Sequence, residues 1–371
     1  MYTKPFVLAA IANFLFFSNV NAYTLLPLYI QALGGGEGQI GTIMAMYSVA
    51  AILCQASLGA FLDRWSRKPV FLAAAGTLAL VSITFTFTRS LTWHFYLLRF
   101  LQGGAVAIFL TSNLTLIADL APPSRRAEAV GIFGVSGLVS IALAPAIGEA
   151  ILRVWGFQAL FAATALVAVA ALAVCLATTM PAAVPVPSTH GLGPSFWPTF
   201  LPILIAAFLF GLANSIVFVF LPPFARFVGL PRIGPFYVLY TGAAITVRLL
   251  GGRLADRLGR QQVILPSLVG LAIGILLFAL LSSTWLLLLV ALINGTSHGF
   301  LYPAASALAF DRAPSGGRGR TLAVYNIAVL LGGATGAFGF GWLVELLGYR
   351  PGFLLVGLLL ATGAGVFWRK R

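Results

Sequence analysis

The sequence predicts an all-α integral membrane protein with twelve transmembrane helices in two tandem six-helix halves. Three observations predict this fold: the composition, the length of the apolar segments and an internal repeat. Of the 371 residues, 60% are hydrophobic and only 8% are charged. A soluble globule could not cover so much apolar surface with polar groups. Lipid is therefore the expected solvent of this chain.

The charge of the chain does not indicate a nucleic-acid partner, although the formal net charge is +14. In a soluble protein, such an excess of Lys and Arg would suggest binding to nucleic acid. Here these residues fall mainly in short connections between apolar segments, where positive charge sets membrane orientation. Cys54 and Cys175 lie inside apolar segments and offer too few ligands for a metal site. We expect no metal, and both cysteines are interpreted as packing residues.

Twelve apolar segments are long enough to cross a bilayer, which takes about 20 residues of helix. Charged, Pro-rich or Gly-rich points separate them. The first segment carries no A-x-A cleavage pattern, so we interpret it as a span rather than a signal peptide. The predicted spans, numbered 1 to 12, are 6–30, 39–62, 69–88, 94–118, 128–152, 158–178, 198–225, 233–254, 263–283, 285–309, 321–345 and 351–368.

Lys and Arg residues are distributed unevenly between the two sides of the predicted membrane. The loops and termini on one side contain Lys4, Arg64, Arg67, Lys68, Arg125, Arg126, Arg253, Arg257, Arg260, Arg312, Arg318, Arg320, Arg369, Lys370 and Arg371. The opposite loops contain Arg89, Arg153, Arg226, Arg232 and Arg350. Because positive charge is enriched in cytoplasmic loops, we expect both termini in the cytoplasm and a multi-pass location in the inner membrane.

One long connection divides the chain. Residues 179–197 include four prolines and no Lys, Arg, Asp or Glu, which is typical of a linker. We therefore predict an N-terminal six-helix half at 1–178, a cytoplasmic linker at 179–197 and a C-terminal six-helix half at 198–371.

An internal repeat relates the two halves. The segment G-A-F-L-D-R-W-S-R-K at 59–68 recurs as G-R-L-A-D-R-L-G-R-Q at 252–261, which is 193 residues later. Further pairs share nearly the same offset, namely Asp119 to Pro122 with Asp311 to Pro314, Gly156 with Gly348, and Leu26-Pro27 with Leu221-Pro222. Two tandem halves of the same topology predict a substrate site at their interface, near the bilayer midplane.

Both copies of the repeated loop resemble the G-x-L-x-D-R-x-G-R-K/R motif of the major facilitator superfamily. Trp65 and Ser66 depart from the motif, and the second copy matches it more closely. The resemblance implies two cytoplasmic latches that hold an outward-facing state during alternating access. Their residues are Gly59, Asp63, Arg64, Arg67 and Asp119 in one half, and Gly252, Asp256, Arg257, Arg260 and Asp311 in the other. The alternative is that these cationic loops only fix the topology.

Span 4 contains an arginine within its apolar sequence. Arg99, Gln102 and the glycine that follows resemble the R-x-x-Q-G motif of the same superfamily. An arginine within a span is energetically expensive and is therefore a candidate for a functional site. The alternative is that Arg99 extends along its helix to reach the membrane surface.

Span 5 contains Ala144-Pro145-Ala-Ile-Gly148, which resembles the G-P-x-x-G-G element of antiporters in this superfamily. Alanine replaces the first glycine and Glu149 replaces the last. The resemblance favours export by antiport through Pro145 and Gly148, which suit a helix that must repack. A purely structural kink is the alternative.

Polar residues near the midpoints of the spans predict the substrate cavity. Repeat-equivalent positions hold several of them, and others follow one another at helical spacing on spans 4 and 10. Hydrogen bonds between helices are the alternative explanation for each residue. The candidates are Asn19, Arg99, Gln102, Asn113, Asn214, Asn294, His298, Tyr302 and Asn326.

His298 is the candidate for proton coupling. It lies near the middle of span 10, and at that depth it is the only side chain whose unperturbed pKa is close to neutral pH. All eight acids of the chain lie in loops or near the ends of spans. A cavity without a carboxylate favours a neutral, amphipathic or anionic small-molecule substrate over a cation. The alternative for His298 is a neutral hydrogen-bonding role.

The resulting hypothesis is a proton-coupled exporter that works by alternating access. A symporter that imports a nutrient is the nearest alternative, and a transporter-like sensor or channel is a further one. We expect no enzymatic activity, because the sequence contains no nucleophile paired with a base and no phosphate-binding loop. We expect no cofactor, a proton gradient as the energy source, and a monomer in the bilayer.

Overall fold

The computed structural model describes residues 3–62, 67–122, 125–179, 196–250, 259–314 and 317–370. Over these residues the regular secondary structure is entirely helical, as the sequence predicts. The chain separates into two compact units. Unit 1 comprises Met1–Gly35 and Met46–Pro185, and unit 2 comprises Gly36–Ala45 and Val186–Arg371. Residues 180–195, most of the predicted linker, lie outside the described residues, so the predicted domain boundaries stay a prediction.

The helices follow the predicted spans in order. The first six are α1 Lys4–Ala22, α2 Leu26–Ala32, α3 Glu37–Leu62, α4 Arg67–Phe87, α5 His94–Leu120 and α6 Arg126–Ala177. The next six are α7 Phe196–Phe227, α8 Gly234–Leu250, α9 Arg260–Ala279, α10 Thr284–Asp311, α11 Arg318–Leu347 and α12 Tyr349–Lys370.

Predicted span 1 contains a local change of helix type. A 3₁₀ turn at Tyr23–Leu25 joins α1 to α2. Pro27 follows this turn and has no N–H to donate into the helix. Just before Pro27, the backbone N–H of Leu26 donates to the carbonyl of Tyr23, which is the tighter i to i−3 pattern of a 3₁₀ turn.

Two equivalent glycines separate the last two spans of each half. Gly156, at φ 79° and ψ −176°, kinks α6 between predicted spans 5 and 6. Gly348, at φ 84° and ψ 170°, separates α11 from α12. This backbone conformation is essentially restricted to glycine, because a Cβ would clash there. The repeat seen in the sequence is therefore also present in the backbone.

The described residues contain ten helices that are long and apolar enough to cross a membrane. One of them, Ala129–Ala177, has 49 residues and includes the Gly156 kink. Helix α8 is 17 residues long and ends where the described segment ends. The all-helical membrane fold is confirmed, and the count of twelve spans stays a prediction.

Glycines allow helices to touch through their backbones in both units. In unit 1, a Cβ on Gly103 of α5 would overlap the carbonyl oxygen of Tyr47 on α3. In unit 2, a Cβ on Gly295 of α10 would overlap the carbonyl oxygen of Tyr240 on α8. Such close approach increases dispersion contact between helices, which lipid does not otherwise drive together. Both contacts use repeat-equivalent residues.

Helices α7 and α11 of unit 2 also pack through glycines. A Cβ on Gly332 would overlap the carbonyl oxygen of Phe208, and one on Gly211 would overlap that of Val329. Near the C-terminal end of α11, the side chain of Glu345 accepts a hydrogen bond of 2.8 Å from the backbone N–H of Gly38. This bond satisfies a donor at the start of α3 that has no partner within its own helix.

We predict that Gly332→Ala lowers the melting temperature of the detergent-purified protein. The added methyl group meets the backbone of Phe208, so α7 and α11 must separate, at a cost of about 1–3 kcal/mol. Gly339→Ala is the control on the same helix, because a Cβ there meets nothing within 4 Å. It should leave stability unchanged or slightly raised, since alanine favours helix more than glycine. Equal melting temperatures for the two variants would contradict the predicted packing role of Gly332.

Candidate functional site

The first polar cluster lies in unit 1 and centres on Arg99 of α5. The Arg99 side chain is only 5% exposed. Its Nη1 donates a hydrogen bond to Oε1 of Gln102, one turn along the same helix. Its Cζ lies 4.9 Å from the centre of the Tyr47 ring, which is a cation–π arrangement. These two groups hold the guanidinium inside unit 1. The alternative interpretation, in which Arg99 extends to the membrane surface, is therefore not supported.

The charge of Arg99 is not neutralised within the described part of the chain. No described carboxylate forms an ion pair with it. Its Nε and the Nε2 of Gln102 are both buried without a described hydrogen-bond partner. These two unsatisfied donors, one of them on the buried cation itself, can bind an anionic or hydrogen-bond-accepting group. The two residues of the R-x-x-Q-G motif, Arg99 and Gln102, are thus in contact, and their role in binding stays a prediction.

The second polar cluster lies in unit 2 and centres on His298 of α10. The side chain of His298 is 7% exposed, and its Nδ1 lies 2.5 Å from the Tyr240 hydroxyl. The same hydroxyl donates to Oδ1 of Asn214 at 2.9 Å. With the Asn214 amide in this orientation, the single proton of the Tyr240 hydroxyl goes to Oδ1, so Nδ1–H of His298 is the donor to the Tyr240 oxygen. In a neutral ring, this donor role places the lone pair on Nε2.

Aromatic rings and a cation surround His298. The ring of Phe210 meets it edge to face at 4.9 Å, and the ring of Tyr302 lies 6.4 Å away. The charge of Arg248 on α8 acts electrostatically on His298, Tyr240 and Tyr302. His298 is therefore a buried polar side chain with aromatic neighbours on α7 and on its own helix.

Tyr47 and Tyr240 are the site residues that the sequence interpretation missed. Each is the aromatic partner of the polar side chain at the centre of its unit. Residues 47 and 240 are 193 positions apart, which is the offset of the repeated loop. Applying that offset to the tyrosines as well as to the Asn and Gln residues would have identified the pair.

Asn19 and the span 5 element are brought together at one cavity in unit 1. The cavity has a volume of about 180 Å³ and lies between α1 and the two parts of α6. Asn19, Ala144 and Gly148 line it. The Nδ2 of Asn19 donates to Ser82 Oγ at 2.8 Å and to the Thr164 carbonyl at 2.7 Å. Pro145 is buried within α6, where the helix continues through it.

Within the described residues, the other Asn candidates form no hydrogen bond with either cluster. Asn113 donates to the carbonyl of Ala9 at 3.2 Å, which links α5 to α1. Asn294 donates to the carbonyl of Val290 on its own helix at 3.0 Å. Asn326 is partly buried on α11. The bond of Asn113 matches the alternative of a hydrogen bond between helices, whereas the bond of Asn294 stays within its own helix.

Two residues of the second predicted latch, Arg260 and Asp311, form an ion pair. The Nη1 of Arg260 donates to Oδ2 of Asp311, and the two side chains are 32% and 50% exposed. Arg260 begins α9 and Asp311 ends α10. Each charge is therefore unfavourable at its own helix end, whereas Asp311 is favourable beside the start of α9. The pair is arranged for contact between helices and not for the stability of either helix.

The remaining residues of the two predicted latches can be described only in part. Asp119 lies near the end of α5 and is exposed. The residues Asp63, Arg64, Gly252, Asp256 and Arg257 lie outside the described residues, and so do the surroundings of Gly59 and the side chain of Arg67. The latch function of both copies stays a prediction.

A metal site is not found in the described part of the chain, where no three His, Cys, Asp or Glu residues come together in a suitable group.

Comparison with known protein families gives a match along the chain. The Major Facilitator Superfamily model matches residues 6–259 and 233–371. The chain is 24% identical over 357 residues to the inner membrane transport protein YajR of Escherichia coli, covering 91% of this chain and 76% of YajR.

Two further relatives match over a shorter region. The chain is 32% identical over 166 residues to the multi-drug resistance efflux pump PmrA of Streptococcus pneumoniae, covering 42% of this chain and 41% of PmrA. It is 31% identical over 164 residues to the multidrug resistance protein MdtG of Citrobacter koseri, covering 42% and 40%. These matches span about two fifths of the relatives' length.

Among solved structures, the nucleoside transporter NupG is similar at a TM-score of 0.81 and 16% identity, covering 99% of each chain. At this identity the likeness establishes the fold alone.

We predict that Arg99→Met leaves the melting temperature of the purified protein unchanged or raises it. Replacing a buried charge by an apolar side chain of similar size is often neutral, or stabilising by about 1–4 kcal/mol. Arg350→Met is the control, because Arg350 donates to the carbonyls of Ala279 and Leu281 at the end of α9. Leaving these carbonyls without a partner should cost about 1–3 kcal/mol. A comparable loss in both variants would make Arg99 a structural residue.

Proposed function

The chain belongs to the Major Facilitator Superfamily of transporters, and from this membership we propose that it is a proton-coupled exporter of a small molecule. Secondary transporters of this architecture bind substrate near the bilayer midplane and expose it to each side in turn. The observation that carries the proposal is the hydrogen-bond chain in unit 2 that joins the buried His298 and Tyr240 to the partly buried Asn214.

His298 is suited to couple a proton to a conformational change. The neutral ring fits its buried surroundings, and a protonated ring would be repelled by Arg248. A proton on His298 therefore favours a conformation in which water reaches the ring or in which Arg248 is further away. By linkage, that conformation binds the proton more tightly, and this reciprocity is the requirement for coupling.

The carboxylates do not offer an equally central alternative. Where their side chains are described, the acids lie at a helix end or within about two turns of a helix end or of the Gly156 kink. These acids are Glu37, Asp119, Glu149, Asp311 and Glu345. Protonation of a midplane group consequently falls to His298 in this proposal.

Export is supported by two relatives, the multi-drug resistance efflux pump PmrA and the multidrug resistance protein MdtG. The partial antiporter element at Pro145 and Gly148 favours the same direction. The unneutralised guanidinium of Arg99 favours a neutral, amphipathic or anionic cargo, because a cation would be repelled.

We propose that the protein acts as a monomer in the inner membrane, with both termini in the cytoplasm.

The direction of coupling can be tested with everted membrane vesicles and a ligand identified by thermal shift, since a ligand of the folded state raises its melting temperature. Antiport requires that the ligand accumulates in vesicles that are acidified inside. Accumulation driven by the opposite proton gradient would identify a symporter that imports its substrate and would overturn the export proposal.

We predict that His298→Gln abolishes uphill, pH-driven transport and retains ligand binding and ligand exchange. Glutamine keeps a hydrogen-bonding group near Tyr240 and cannot titrate between pH 5 and 8. The readouts are accumulation under an imposed pH gradient and exchange of labelled for unlabelled ligand without one. The matched control is His94→Gln, because His94 is exposed at the start of α5.

The control should transport as well as the parent protein. If His298→Gln still concentrates the ligand to the same extent as the parent, His298 is not the coupling group. If it loses binding and exchange as well, its role is in the cargo site.

We predict that Asp311→Asn lowers the transport rate several-fold with almost no change in melting temperature. A partly exposed ion pair contributes only about 0–1 kcal/mol to stability, whereas a latch is needed in each transport cycle. The charge reversal of Arg260→Asp combined with Asp311→Arg rebuilds the pair and suits both helix dipoles. It should restore most of the transport. Full activity of Asp311→Asn would show that the ion pair is not a latch.

A further inference from the structure

The cavity between α1 and α6 in unit 1 has the properties of a binding site for a particular kind of molecule. Its volume of about 180 Å³ is formed mainly by apolar side chains. Leu143 and Ile147 lie at its rim and are 41% and 55% exposed, so the cavity can be entered from the surface. None of the lining residues carries a formal charge, so an ion has no counter-charge there.

Two residues that line this cavity have unsatisfied oxygens. Ser18 Oγ and Asn19 Oδ1 are buried, and neither has a hydrogen-bond partner among the described residues. The amide nitrogen of Asn19 is already committed to Ser82 and Thr164, which fixes the amide and its oxygen in place. A buried acceptor without a partner costs free energy that a ligand with an N–H or O–H group would recover.

The size of the cavity limits the ligand. An apolar cavity of about 150 Å³ is sufficient for benzene in another protein. We propose that this cavity binds a small uncharged molecule of one or two rings with a single hydrogen-bond donor, as in a phenol or an indole. A lipid acyl chain has no donor and would leave both oxygens unsatisfied. The proposal does not depend on transport and uses none of the residues assigned to proton coupling.

The test is the binding of tritiated indole to the purified full-length chain, measured by scintillation proximity. Ala163 lines the cavity, whereas its neighbour Ala162 is exposed and is not among the lining residues. Ala163→Leu should fill the cavity and weaken indole binding at least about tenfold, since overpacking must be relieved before the ligand can enter. Ala162→Leu is the matched control and should bind indole as the parent does.

A second measurement needs no variant. Indene has nearly the shape of indole and lacks the N–H donor, so it should compete about two- to tenfold more weakly, the value of one hydrogen bond. The proposal is supported if indole binding is saturable, if Ala163→Leu removes it and if indene competes for it only weakly. It is overturned if Ala163→Leu binds indole as the parent does. It is equally overturned if indene competes as well as indole, because the cavity would then be an apolar groove for acyl chains.

Discussion

The polar chemistry of this protein depends on how closely its helices can approach one another. Lipid tails are as apolar as the side chains, so the hydrophobic effect does not draw spanning helices together. Contact through glycine replaces it: Gly103 lies against the carbonyl of Tyr47, and Gly295 lies against that of Tyr240. These contacts fix two tyrosine backbones, and their side chains then hold Arg99 and His298. A larger residue at either glycine would displace the tyrosine and the polar group it holds.

Tyrosine is a particular choice of partner for a buried polar group. A carboxylate beside Arg99 would neutralise the guanidinium and make a lasting ion pair, which costs several kcal/mol to break in a buried site, about 3–5. An aromatic face and an amide stabilise the cation less and leave its charge available. The same argument applies to His298, whose bond to the Tyr240 hydroxyl does not commit the ring to a charged state. In the mechanism we propose, these weaker contacts leave Arg99 able to respond to a ligand and His298 able to respond to a proton.

Composition and repeat were sufficient to predict the membrane fold, because spanning helices leave their pattern in each segment independently. The equivalence of Gly156 and Gly348 could likewise be predicted, since their unusual backbone conformation requires glycine at both positions. The partner of Asn113 on α1 could not be predicted, because it depends on the helix rotation that packing sets. The cavity beside Asn19 was also beyond the sequence, since a void is defined by the volume that neighbouring side chains leave unfilled.

Repeat-equivalent residues of the two halves share backbone features but make different side-chain contacts. Asn19 and Asn214 occupy equivalent positions, yet Asn19 donates within a packed helix group while Asn214 accepts from Tyr240. Tyr47 and Tyr240 are equivalent as well, yet one faces a permanent cation and the other a titratable ring. A permanent charge cannot report a proton gradient, and a neutral histidine cannot attract an anion over a distance. In the transport mechanism we propose, each half therefore supplies a group that the other lacks. Unit 1 supplies the fixed charge that attracts the cargo, and unit 2 supplies the site that the proton can occupy.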